Sequence, residues 1–169
     1  PILEGPITLS PLDNGIYEIN AQTLDKVILA CGAWLGQTLE PLGFEVDVRP
    51  QKGQLRDYFF EGLDTGKLPV LMPEGELDVI PFAGGKISVG ASHENDQGFD
   101  LTVDETVLAS LEEEAKTYFP DLSTAKSFSE RVGTRAYTSD FSPFFGEVPE
   151  LESVFVASGL GSSGLTTGP

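Results

Sequence analysis

Apolar and polar positions change their spacing several times along this chain. Residues 15–21, GIYEINA, alternate, and alternation predicts a half-buried strand. Residues 25–30, DKVILA, hold an unbroken apolar run, which predicts a strand buried on both faces of an α/β sheet. CGAWL follows at once, and GQTLEPLG then predicts a short helix closed by Gly43. From 43 to 60, Val46, Val48, Leu55, Tyr58, Phe59 and Phe60 are mixed with charges, Pro50 and Gly53. That mixture predicts one or two strands, interrupted near Lys52 and Gly53. Short strands are expected at 69–73 and 77–82. Ala83, Gly84 and Gly85 mark a hairpin turn, and the strand KISVGAS follows.

Asp104 is placed to cap a helix, because Val107, Leu108, Leu111, Ala115 and Tyr118 then recur at helical spacing. Phe119 and Pro120 close it, and Glu112, Glu113 and Glu114 lie largely on its wet face. Residues 127–138 alternate as a strand, and 151–157 form a last apolar strand before GLGSSGLTTGP. The expected fold class is α+β: an antiparallel-sheet domain with a packed helix over 46–146, flanked by partial α/β segments at 1–45 and 147–169.

Composition narrows the function classes. Net charge is −17, from 27 acidic and 10 basic residues, with no basic cluster. A nucleic-acid partner needs a basic face, and an anionic membrane surface needs one too, so neither is expected. The N-terminal PILEGPITLS has neither a basic start nor a long apolar run, so no signal peptide or membrane insertion is expected. Cys31 is the single cysteine, which rules out an internal disulfide or a thiolate metal cage and fits a cytoplasmic protein. The chain starts at Pro1 and stops after a glycine-rich turn, and reads as an excised piece of a longer protein.

Three segments carry candidate chemistry. The strand-turn DKVILACGAW ends in small residues that let a ligand approach the backbone, or that simply make a tight turn packing the next helix. VFVASGLGSSGLTTGP repeats this design and leads to a helix expected near Ser163, whose N-terminus favours anionic ligand atoms. No lysine follows its glycines, so it is not a nucleoside-triphosphate loop. In GTRAYTSDFSPFFG, Arg135 can grip a carboxylate with its planar fork, or pair structurally with Asp140 or another acid. His93 is the single histidine and has no serine or cysteine pattern around it, so a hydrolase triad is not expected.

Taken in order, A-C-G-A-W at 30–34, R-P-x-K-G-Q at 49–54, G-x-R-x-x-x-x-D-x-x-P-x-x-G at 133–146 and G-x-G-x-x-G at 159–164 resemble the D-amino-acid oxidase superfamily of flavoproteins. That superfamily includes glycine oxidases, sarcosine oxidases and D-amino-acid dehydrogenases. The resemblance implies FAD as cofactor and a small amino-acid or amine substrate. It implies that Cys31, Gly32, Ala33 and Trp34 lie beside FAD, and that Gly161, Ser162, Ser163, Gly164 and Leu165 turn their N–H groups to the pyrimidine end of its isoalloxazine. Arg135 matches the arginine that holds the substrate carboxylate, and the region 46–146 matches the substrate domain. The resemblance assigns no side chain as acid or base. The implied reaction is oxidation of a C–N bond by hydride transfer to flavin, with a 2-hydroxy-acid substrate or a non-catalytic ligand-binding module as alternatives. The superfamily's first GxGxxG unit is not in this sequence, so the piece alone is expected to hold no stoichiometric FAD.

Overall fold

The computed structural model describes Gly5, residues 7–12 and residues 17–167. They divide into two compact units, one made of Pro1–Pro50 with Arg135–Pro169 and the other of Gln51–Thr134.

In the first unit, β1 (Leu9–Pro11), β2 (Tyr17–Ile19) and β3 (Gln22–Leu24) form an antiparallel meander. The alternating segment at 15–21 therefore supplies β2 and then a turn, and residues 15 and 16 lie outside the described set. Ile19 pairs with Gln22 across the two-residue turn Asn20 and Ala21, whose φ angles are 50° and 62°. Positive φ at both turn positions matches the twist of a hairpin, but alanine resists it. Ala21→Gly is expected to stabilise the protein by about 0.5–1 kcal/mol, read as a rise in thermal midpoint, because the left-handed penalty of alanine exceeds the extra entropy of glycine.

The second sheet of this unit has the order β4-β10-β9, from β4 (Val27–Leu29), β10 (Val154–Ser158) and β9 (Phe144–Glu147). β4 and β10 are parallel, and β9 and β10 antiparallel. Val27, Leu29 and Val154 are buried with Leu35, Leu39, Val48 and Val148. Ile28, between Val27 and Leu29, is 73% exposed. The expectation of a strand buried on both faces is thus corrected: a continuous apolar run does not say which face is covered, and here one is. After β4 the chain makes a 3-10 turn at Gly32–Trp34, helix α1 (Leu35–Leu39) and a second 3-10 turn, stopping at Gly43 with φ 85°.

The second unit is built on a four-stranded sheet of order β6-β7-β5-β8, from β5 (Arg49–Phe59), β6 (Asp78–Pro81), β7 (Lys86–Gly90) and β8 (Lys126–Tyr137). β7 pairs antiparallel with both β5 and β6. β5 runs unbroken through Lys52 and Gly53, contrary to the expected interruption. Reciprocal backbone bonds between Lys52 and Glu94, and one from Ser92 to Gln54, continue its ladder there. The stretch at 69–73 contributes only a bridge from Leu71 to Val79.

Helix α2 (Glu105–Tyr118) starts where Asp104 Oδ1 accepts from Thr106 N at 2.9 Å. Leu108, Leu111 and Ala115 are buried, and the last two join Tyr58, Phe60, Val79, Ile87 and Val89. Tyr118, at the same helical spacing, is half exposed. Of the acidic triplet, Glu113 and Glu114 are exposed and Glu112 is half buried. It accepts from Tyr58 Oη at 2.8 Å and pairs with Lys116 at 2.8 Å. Burial pushes the Tyr58 hydroxyl up, and Glu112 pushes it further.

On the sheet face away from α2, Asp57 is buried among Ser88, Arg131, Ser129 and Lys86. Burial pushes its carboxyl up, but those four donors outweigh burial and bring it down to about 2 from 3.8. A depressed carboxyl contributes stability above its unfolded value and loses it as pH falls towards the folded value. Wild type is expected to lose about 2 kcal/mol between pH 5 and pH 2 that Asp57→Asn does not lose, as read by denaturant unfolding across that range.

Candidate functional site

Because β4 and β10 are parallel neighbours, their carboxyl ends lie side by side. The position just past such ends is where open α/β sheets bind ligands. β4 delivers Cys31, Gly32, Ala33 and Trp34 there, and β10 delivers Gly159 to Leu165. Ser158 Oγ donates to Gly32 O at 2.8 Å, joining residues separated by 126 positions. Gly161 N donates to Ala136 O at 2.9 Å, and Ala136 directly follows Arg135 in β8. Two hydrogen bonds therefore tie together the three segments that carried candidate chemistry in the sequence.

Local geometry explains the small residues. Gly32 and Gly161 have φ of 56° and 54°, and a Cβ on either would stand in open space. Gly159 has φ 77°, and a Cβ there would meet Thr138 Cγ2 at 2.8 Å and Phe144 at 3.3 Å. Gly159 is thus glycine for both backbone and packing, whereas Gly32 and Gly161 leave room beside the chain. Thr138 is buried, and its Oγ1 finds no hydrogen-bond partner among the described residues. Trp34 is half exposed and Leu165 is fully exposed, so two apolar side chains border this end of the sheet. The Cys31 thiol is free and half buried.

Helix α3 (Gly164–Thr167) begins one residue past Ser163, as the sequence predicted. The amides before it are not all available. Gly161 N is committed to Ala136 O, and Ser163 N to Leu160 O at 3.0 Å. These two amides of the predicted cofactor turn therefore bond within the chain. The N–H groups of Ser162, Gly164 and Leu165 have no backbone acceptor among the described residues. Arg135 is half buried in β8, and the acid suggested as its structural partner, Asp140, accepts from Ser142 N at 2.9 Å. The turn after β8 is fixed by Asp47, which accepts from Ser139 N at 3.1 Å and from its hydroxyl. The Ser139 hydroxyl, and then Arg49, hold the Asp47 carboxyl below its usual range.

His93 belongs to the other unit, where its Nδ1 lies 3.4 Å from Glu76 Oε2 without hydrogen-bond geometry. Sequence reasoning missed Ser158 and Thr138, which carry no motif of their own. Their signal is position: Thr138 ends the predicted strand 127–138 and Ser158 directly follows the predicted strand 151–157, each at a turn rich in small or polar residues. Among the described residues no helix is long and apolar enough to cross a membrane.

Comparison with known proteins places the chain in a family. The family model described as FAD dependent oxidoreductase matches residues 3–169. The uncharacterized oxidoreductase YurR of Bacillus subtilis (strain 168) is 40% identical over 146 residues, covering 86% of this chain and 39% of its own length. A glycine oxidase of Pseudomonas aeruginosa is 32% identical over 145 residues, with the same 86% and 39% covered. Among solved structures, iminodiacetate oxidase from Chelativorans sp. BNC1 superimposes with a TM-score of 0.88 at 31% identity, over 95% of this chain and 44% of that one. The chain thus spans about two fifths of the length of the curated relatives it matches.

Proposed function

This chain belongs to the family of FAD-dependent oxidoreductases, and on that premise we propose that the protein carrying it oxidises the C–N bond of a small amino acid or secondary amine. The observation that carries the reading is the convergence of the 31–34 turn, the 159–165 turn and the Arg135 strand through the Ser158–Gly32 and Gly161–Ala136 bonds.

The residues at this end fit a flavin ring. Gly32 and Gly161 leave space beside the backbone, Trp34 and Leu165 offer apolar surface, and three amides point to no backbone acceptor. Ser162, Gly164 and Leu165 would hold the pyrimidine end through those amides, where N–H donors favour negative charge. Cys31, Gly32, Ala33 and Trp34 would flank the ring from the β4 side. When bound, the flavin would supply the hydride acceptor for C–N oxidation. The protein's own part is to orient and anchor. Arg135 would hold the substrate carboxylate in its fork and present the α-hydrogen, a role that needs no acid or base.

The glycine oxidase and iminodiacetate oxidase to which the chain is similar are named for amines that carry carboxylates, which supports this choice of substrate. The compact unit Gln51–Thr134 supports assigning the substrate-binding region to 46–146, with 1–45 and 147–169 contributing to the FAD side. Turnover of glycine, sarcosine and D-alanine, each beside its amide, tests the reading. At least one of the acids is expected to be oxidised and its amide to lag by about a hundredfold, as loss of a charge-assisted pair implies. Equal turnover of acids and amides would overturn it.

A further inference from the structure

Ion pairs in a chain of net charge −17 should be short of cations, and around two of its cations they are. Arg56 is shared by Glu105, Glu112 and Glu130, and Lys116 by Glu112 and Glu113. Around Asp57 the balance inverts. Lys86 Nζ lies 3.3 Å from Asp57 Oδ2, and Arg131 Nη2 lies 2.9 Å from Oδ1. The hydroxyls of Ser88 and Ser129 also donate to this carboxylate, whose side chain is 2% exposed. One cation would neutralise Asp57, so the second is surplus.

Both cations reach the surface. The Arg131 side chain is 52% exposed and that of Lys86 37%. Arg131 spends Nη2 on Asp57 and on Ser88 Oγ at 3.0 Å. Its Nε and Nη1 donors have no acceptor among the described residues. Lys86 Nζ also sits 5.5 Å from the ring centres of Phe82 and Phe128, both about half exposed. Pairing across β5 and β7 sets Asp57 against Ser88 and Phe59 against Lys86, on the face away from α2.

A buried acid thus fixes a guanidinium while leaving part of its fork free. A second cation stands beside it, and two half-exposed rings border that cation. Charge, spare donors and apolar walls together suit a carboxylate carried on an apolar body. We propose that the outer face of this sheet holds a carboxylate-binding site, with Arg131 and Lys86 supplying the charge and Phe82 and Phe128 the apolar wall. The site takes a small organic acid, and it stands independently of the C–N oxidation reading.

The test is a phenylacetate titration of the protein that carries this chain, followed by the NMR signal of the Arg131 Nε–H and by contacts from the ligand ring to Phe128. Phenylacetate is expected to move that signal saturably and to bind at least about tenfold more tightly than phenylacetamide, since a charge-assisted bond is worth that much. Arg131→Met is expected to remove the same factor, whereas Arg135→Ala leaves the ring contacts to Phe128 in place. If Arg131→Met does not fold, Phe128→Ala decides, because the groups that hold Asp57 are the side chains of Ser88, Ser129, Arg131 and Lys86. It is expected to weaken phenylacetate by about threefold or more through lost apolar and ring contact. An unmoved Arg131 signal, equal affinity for acid and amide, or unchanged binding in folded Arg131→Met or in Phe128→Ala would each overturn the proposal.

Discussion

Arg135→Ala is expected to raise the Michaelis constant for an amino-acid substrate by about a hundredfold to ten-thousandfold while the protein stays folded and keeps its flavin. Two charge-assisted bonds to a carboxylate are worth about 1.5–3 kcal/mol each, and each 1.4 kcal/mol is tenfold in affinity. Arg135→Lys is expected to recover only part of this, because an ammonium cannot reproduce a planar two-point grip. The turnover number should fall as well, since an unanchored substrate no longer presents its α-hydrogen in a fixed direction. Arg135 is half buried and precedes the carbonyl that accepts from Gly161, so truncation must be checked against structural loss. Thermal midpoint and flavin content measured on the same sample make that check. An unchanged Michaelis constant in a folded, flavin-loaded variant would remove Arg135 from the substrate site.

The second large effect is expected at Gly159, where alanine should destabilise the protein by about 2–5 kcal/mol. The left-handed φ of 77° costs a side chain about 1–2 kcal/mol. Its Cβ would stand 2.8 Å from Thr138 Cγ2, and such overpacking costs about 1–3 kcal/mol. Gly161→Ala is the control. Its φ is similarly left-handed, but its Cβ meets nothing within 4 Å. It should cost only the backbone share, about 1–2 kcal/mol, and leave the fold intact. If the flavin ring approaches the backbone there, Gly161→Ala nevertheless loses flavin. Thermal unfolding and bound-flavin absorbance of the two variants, read together, separate a fold defect from a site defect.

The contrast between these glycines shows where sequence reasoning stops. Patterns within one segment were legible. Asp104 with its downstream apolar spacing marked α2, and Gly43 marked the end of the first helical stretch. Gly84 and Gly85, at φ of 76° and 81°, marked the turn into β7. Facts decided by a distant partner were not. The run at 25–30 could not say that Ile28 faces outward, because exposure depends on what covers each face of the sheet. Lys52 and Gly53 looked like a break because their ladder partners lie some forty positions along the chain, at Ser92 and Glu94. The turn 159–165 was legible as a place where amides gather, but not which of them are spent. That Gly161 serves Ala136 and Ser163 serves Leu160 follows from the folded path alone. The Asp57 cluster left no motif, since Asp57, Lys86, Ser88, Ser129 and Arg131 become neighbours only when β5, β7 and β8 pair.

The central claim is that three distant segments build one end of a flavin site and that Arg135 presents an amino-acid α-hydrogen to it. Anaerobic mixing of the flavin-loaded protein with glycine, sarcosine or D-alanine, each with and without deuterium at the α-carbon, addresses this most directly. At least one of these substrates is expected to bleach the oxidised-flavin absorbance, more slowly when deuterated, with the matching 2-hydroxy acids inert. A protein that takes up no flavin, or whose flavin none of these amines bleaches, would contradict the claim.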